Sequence, residues 1–269
     1  LSFERYPEFF PLAMALRMRL LMPFQARRAS HIIAVSEATR RDIIELYGVA
    51  PERVSVVHNG VAQGFAAPVD PELAHRVLAR FGIERPFIVC VGNLCTRKNQ
   101  RAVVRVFGRL LDRYAIEHDL VLIGQTTESA RDIMVEIEGL KRKGRVHVTG
   151  FVGSDELRAL YAGATASVYV SLYEGFGLPI VESMACGTPV LTSSVSCMAE
   201  IAGDAALLVD PRDDEALAAG LLRLVEDSEL RCRLGGAGRI RARQFSWSEA
   251  ARRTLQIYRQ AVSVAKEGP

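Results

Sequence analysis

The chain has 269 residues, 49% of them apolar and 24% charged, with a net charge of +3. That length gives one large domain or two modest ones, with a core that needs no disulfide or metal staple. The small charge and the lack of a nucleic-acid-binding motif argue against DNA or RNA as a partner.

In chain order, the first apolar stretch is "PLAMALRMRLLMPF" (11–24), interrupted by Arg17, Arg19 and Pro23 and too short and too charged to span a bilayer. It reads as a core-facing helix with solvated arginines; the alternative is a basic amphipathic helix touching a membrane surface. "HIIAVS" (31–36) reads as a strand, followed by a helix over 37–47 that Gly48 ends. "RVSVVHNG" (53–60) is a second strand, and the polar, proline-containing stretch 61–72 is the best linker candidate. Six short apolar runs then alternate with helical patterns: "PFIVCVG", "DLVLIG", "RVHVTG", "TASVYVS", "TPVLTS" and "AALLVD". This predicts an α/β domain built on a parallel sheet covered on both faces, with ligands at the carboxyl ends of its strands. The tail, "FSWSEAARRTLQIYRQAV", predicts a long terminal helix opened by a capping box, Ser246 with Glu249, and a packed Trp247. The five cysteines (Cys90, Cys95, Cys186, Cys197, Cys232) lack C-x-x-C spacing and read as buried thiols of a reducing compartment.

Three strand-to-helix turns carry the chemistry. "YEGFGLPIVES" (173–183) places Glu174 at a strand's carboxyl end and Glu182 one helical turn into the next helix, with seven residues between them. Gly175 and Gly177 allow close backbone approach, and Pro179 suits the first helical turn. Free N–H groups at that helix end favour a phosphate, and a carboxylate on each side suits sugar hydroxyls. The pattern fits a nucleotide sugar; either glutamate alone would read as a turn cap or an exposed helix residue. "VGNLCTRKNQ" (91–100) puts Arg97 and Lys98 at the next such turn, with Asn99 as N-cap. The pair reads either as cations for a diphosphate or as a solvated basic pair. In "VTGFVGSDEL" (148–157), Asp155 and Glu156 complement a helix dipole, and backbone around Phe151 and Val152 is a candidate seat for a planar base. The scattered histidines show no metal-ligand spacing, and His58 reads as a satisfied structural histidine.

"YEGFGLPIVESMACGTPVLTS" resembles the E-x₇-E signature of the family 4 glycosyltransferases, retaining enzymes of the GT-B arrangement with two facing Rossmann-like domains. "VSEATRRDII", "VVHNGV", "VGNLCTRKN" and "VDPRDDEALAAGLLRLVED" are similar to further segments of that family in the same order, and the likeness is closest to bacterial mannosyltransferase-like members. The resemblance implies that Glu174 binds the transferred sugar, that Gly175, Phe176, Gly177 and Leu178 contribute backbone contacts, that Glu182 holds the ribose, and that Lys98 holds the diphosphate. Many members carry arginine after Gly92 where this chain has Asn93; the resemblance implies Arg97 as the substitute charge. No Asp-x-Asp occurs, so metal-independent chemistry without a cofactor is expected.

The implied division is a remnant of an N-terminal, acceptor-side domain (1–62), a linker and domain entry (63–85), a donor-binding domain (86–245) and a terminal helix crossing back (246–269), with about 100 residues expected upstream. The expected donor is GDP-mannose and the acceptor a glycan or lipid-linked glycan. The expected place is the cytoplasm, with peripheral contact at the inner membrane face. The alternatives are a nucleotide-sugar-binding fragment without turnover, and a sugar-nucleotide epimerase that hydrolyses the donor's diphosphate bond, against which the E-x₇-E turn argues.

Overall fold

The computed structural model describes residues 1–267, with side chains through Val262. Its first part holds two helices, α1 (Ser2–Arg5) and α2 (Leu12–Arg28), then strand β1 (Ile32–Ala34), helix α3 (Glu37–Tyr47) and strand β2 (Val54–Val56). Strands β1 and β2 pair in parallel. Ser36 caps α3 by accepting from Thr39 N, and Gly48 ends it in the left-handed conformation that suits glycine.

Helix α4 (Pro71–Arg80) leads into a six-stranded parallel sheet: β3 (Phe87–Val91), β4 (Asp119–Ile123), β5 (Val146–Gly150), β6 (Ala166–Tyr169), β7 (Val190–Ser193) and β8 (Ala206–Val209). The spatial order is β5-β4-β3-β6-β7-β8, so the chain switches direction across the sheet between β3 and β6. The connecting helices are α5 (Gln100–Arg113), α6 (Arg131–Glu138), α7 (Ser154–Gly163), α8 (Leu178–Cys186), α9 (Met198–Ala202), α10 (Asp214–Glu226) and α11 (Ser228–Ala242). Side chains alternate across each strand, so both faces are buried. Phe87, Val89 and Val91 pack with residues of α4, α7, α8 and α9, while Ile88 and Cys90 pack with α5, α6, α10 and α11.

Helix α12 (Trp247–Glu267) returns to the first part, where Ala250 and Ile257 pack with Val57 and Ile33. The two connecting passages touch: Val61 N donates to Phe245 O at 3.1 Å, and a Cβ on Gly60 would stand 2.1 Å from Trp247 N. The stretch 61–72 is therefore tethered, and its Phe65 is buried against Tyr161.

Several local expectations change. Helix α2 buries only its small residues, Ala15 and Ala26, and turns Leu12, Leu16, Leu20 and Phe24 outward. Trp247 is 51% exposed, because its backbone rather than its ring fills the space beside Gly60. The capping box of α12 is half made: Glu249 N donates to Ser246 Oγ, but the Glu249 carboxylate pairs with Arg252. Cys232 is exposed; Cys90 and Cys197 are buried.

Candidate functional site

The site begins with the turn after β3. Gly92 takes a φ of +137°, a region open to glycine, and the Lys98 side chain folds directly over it. Buried Gln100 holds the turn together: its Nε2 donates to Gly92 O and Asn93 O, and its Oε1 accepts from Cys95 N. The Asn93 side chain turns sideways to accept from Gln125 N. Asn99 is the N-cap residue of α5, but its side chain makes no capping bond. It adopts a left-handed φ of 59°, and its Nδ2 donates to Pro211 O at 2.7 Å. That conformation reverses the chain after the single turn Thr96–Lys98 and sends both cations back toward the sheet.

The second component is the turn after β6. Arg97 Nη1 and Lys98 Nζ each lie 2.7 Å from Glu174 Oε1. Arg97 also donates to Tyr173 O, and Lys98 to the phenol oxygen of buried Tyr169 at 2.5 Å. The cations are therefore an ion-paired cluster with the first glutamate of the E-x₇-E string, not a solvated pair. Burial pushes the Glu174 carboxyl up, but Lys98 and Arg97 outweigh it and hold it below the usual carboxylate range. Burial lowers and Glu174 raises the Arg97 value, with a net rise. The Glu174 backbone is fixed by Ser196, whose Oγ accepts from its N–H and donates to its carbonyl.

From Glu174 the chain passes through Gly175, whose carbonyl accepts from Thr39, and buried Phe176, which packs against His58 and Phe245. Gly177, at φ +95°, turns into α8, which starts at Leu178 with Pro179 in its first turn. The open N–H groups there give a positive helix end beside the two cations. Glu182 is one turn further in, and the hydroxyl of fully buried Tyr161 lies 3.3 Å from its Oε2. Burial pushes the Glu182 carboxyl up; Tyr161 and nearby Lys98 pull it down only in part.

The predicted residues do not all converge. Phe151 stands 74% exposed at the end of β5, while Val152 is buried in the core beside α4 and α7. His58 Nε2 donates to the Glu200 carboxylate at 2.8 Å, and that carboxylate also accepts from Glu37 N and Ala38 N at the start of α3. Sequence reasoning missed Tyr169, Tyr161, Gln100 and Ser196. Tyr161 and Tyr169 carry a polar atom into buried, largely apolar surroundings; Gln100 and Ser196 carry no comparable signal.

Two family descriptions match the chain: "Glycosyl transferases group 1" over residues 76–241 and "Glycosyltransferase Family 4" over residues 2–63. The chain is 30% identical to O-antigen chain mannosyltransferase B of Escherichia coli, over 94% of this chain and 66% of that protein. It is 31% identical to the MMP alpha-(1->4)-mannosyltransferase of Mycolicibacterium hassiacum, over 88% of this chain and 56% of that one. It is 33% identical to the alpha-maltose-1-phosphate synthase of Mycolicibacterium smegmatis, over 86% and 63%. The chain thus spans 56–66% of the length of these curated relatives. Among solved structures, a glycosyltransferase from Rickettsia africae superposes with a TM-score of 0.78 at 20% identity, over 94% of this chain and 68% of that one. Anabaena Alr3699/HepE in complex with UDP-glucose superposes with a TM-score of 0.78 at 21% identity, over 97% and 70%. The last two likenesses show a shared GT-B fold.

Proposed function

We propose, on the premise that this chain belongs to the group 1 glycosyl transferases, family 4, that it takes part in transfer of a sugar from a nucleotide-sugar donor to a glycan or lipid-linked acceptor with retention of configuration. The membership is plain from the first family match, which covers more than half of the chain. Mannose is the proposed sugar and GDP-mannose the proposed donor. Two of the relatives just described are mannosyltransferases.

One observation carries the reading: Arg97, Lys98 and Glu174 meet beside the amino end of α8. A donor's diphosphate gains negative charge as its bond to the sugar breaks. Two cations and a helix end stabilise that charge where it develops. Glu174 and Glu182 lie on either side of the helix end, one for sugar hydroxyls and one for the ribose. The Lys98 ammonium, held by Tyr169, needs little reorganisation when the phosphate arrives. We assign no divalent ion to this step.

The test pairs calorimetry and a product assay on one sample. GDP and UDP are titrated into the chain, and GDP-mannose and UDP-glucose are offered with mannoside acceptors in the presence of EDTA. Product with the donor's anomeric configuration is the expected result. Binding without product would favour the binding-module reading, and absence of nucleotide binding would refute both.

A further inference from the structure

Next to the Glu174 turn lies a cavity of about 440 Å³ that the donor contacts leave unassigned. Tyr173, next to Glu174 in the chain, and Ser196, which fixes the Glu174 backbone, form one side of it. Tyr6 and Arg41 of the first part form the other. Arg212, from the loop between β8 and α10, reaches across to the Tyr6 hydroxyl at 3.5 Å.

The three guanidiniums on this cavity differ in state. Arg5 is neutralised by Asp42 at 2.7 Å and Glu45 at 2.8 Å. Asp42 is further occupied by the Tyr173 hydroxyl. Arg41 and Arg212 have no carboxylate partner among the described residues. The acids nearest Arg212 in sequence are engaged elsewhere: Asp210 accepts from the backbone N–H of Arg212, and Asp213 caps α10. Alongside these two cations stands an aromatic wall. Tyr6 is stacked on Phe9 with ring centroids 5.3 Å apart, and lies 6.0 Å from Tyr173. Such a wall suits the C–H face of a pyranose, and a pair of planar guanidiniums without carboxylate partners can donate to phosphate oxygens.

We propose that this cavity is a subsite for a phosphorylated saccharide, with the pyranose against Tyr6 and Tyr173 and the phosphate between Arg41 and Arg212. The inference rests on the glycosyl-transfer reading and names the acceptor class: Tyr173 and Ser196 belong to both the cavity and the Glu174 turn, so a saccharide bound here adjoins the donor sugar. A neutral glycan would leave both guanidiniums without a function. A free sugar phosphate and the phosphorylated end of a lipid-linked saccharide present the same chemistry.

The experiment separates the two sites by filling the first. The chain is saturated with GDP or UDP, whichever it binds, so that Arg97 and Lys98 are occupied. It is then titrated with mannose 1-phosphate, mannose and inorganic phosphate. Mannose 1-phosphate should bind at least tenfold more tightly than either fragment. Arg41→Ala and Arg212→Ala should each weaken it tenfold or more and leave nucleotide affinity unchanged. Both side chains are exposed, so the variants are expected to fold, and unchanged nucleotide binding confirms that they have. A prenyl-diphosphate-linked mannoside as a further ligand identifies the source: tighter binding than mannose 1-phosphate points to a lipid-linked acceptor, weaker binding to a soluble one. If the nucleotide binds but mannose 1-phosphate does not, or binds no better than inorganic phosphate, the subsite is refuted and the transferase reading stands. If no nucleotide binds, the transferase reading itself falls.

Discussion

Replacing Glu174 by glutamine should destabilise the ligand-free chain and at the same time enlarge the stabilisation it gains from a nucleoside diphosphate. Glu174 is 12% exposed, and two cationic nitrogens lie 2.7 Å from its Oε1 as ion pairs. A hydrogen bond to a charged group contributes about 1.5–3 kcal/mol, and leaving a buried charge unpaired costs about 3–5 kcal/mol. The glutamine oxygen still accepts from one cation, so the lower figure applies, ~3 kcal/mol. For a domain of this size that lowers Tm by about 6–12 °C. A bound diphosphate gives Arg97 and Lys98 the anionic oxygens that the variant lacks. Its stabilising effect should therefore be larger in the variant than in the wild type. Differential scanning calorimetry with and without GDP, repeated with UDP, reads both quantities. The pH dependence adds a check. Glu174 has its carboxyl held below the ordinary value of 4.5, so its contribution is complete above that pH and disappears as pH falls through the folded value. The gap between wild type and Glu174→Gln should close on acidification. An unchanged Tm, or a diphosphate effect that shrinks in the variant, would refute the view that the acid and the ligand share these cations.

Glu182→Gln should act in the opposite direction on stability: burial raises this carboxyl, so the ionised form is a liability above its ordinary value of 4.5, and the variant should gain Tm at pH 7 and lose that gain on acidification, while nucleoside diphosphate affinity falls. Gly124→Ala would place a Cβ 2.4 Å from Gly92 O and 2.8 Å from Asn93 N at a φ of +147°; overpacking of about 1–3 kcal/mol is expected in urea denaturation, with diphosphate binding weakened more than stability because the Lys98 turn is displaced. Glu200→Ala removes the acceptor for Glu37 N and Ala38 N and should cost about 0.5–2 kcal/mol of stability, with nucleotide affinity unchanged in calorimetry.

The sequence was most readable where local pattern and local structure share a cause. Runs such as "PFIVC" and "DLVLI" become central strands because their apolar side chains point to both faces of the sheet. Gly48 and Gly187 mark helix ends because both positions take the left-handed conformation. The Glu174 and Glu182 spacing was legible for the same reason: a strand end, a glycine turn and a helix start are consecutive in the chain. What could not be read was pairing across the fold. That Lys98 and Arg97 close on Glu174 depends on β3 lying beside β6, some 76 positions later in the chain for the Arg97–Tyr173 contact. Asn99 holds the N-cap place predicted for it, but its side chain turns away from the helix because Pro211 O, from a distant loop, takes its amide. Helix α2 defied its composition because burial followed side-chain size, with alanines inward.

The strand order sets how firmly each strand-end turn is held. Lys98 follows β3 and Glu174 follows β6, neighbours at the middle of the sheet, whereas Phe151 and Val152 follow β5 at its edge. Strands β3, β4, β6 and β7 are buried along their whole length, while β5 and β8 are only partly covered. Amide hydrogens of central strands exchange only when much of the domain unfolds, and those of edge strands exchange through local fraying. The turn carrying the cation–carboxylate cluster is therefore expected to exchange more slowly than the turn after β5 at the sheet edge. Fluctuations at the edge of the sheet, around Phe151, can therefore proceed while the Lys98–Glu174 cluster at its middle stays closed.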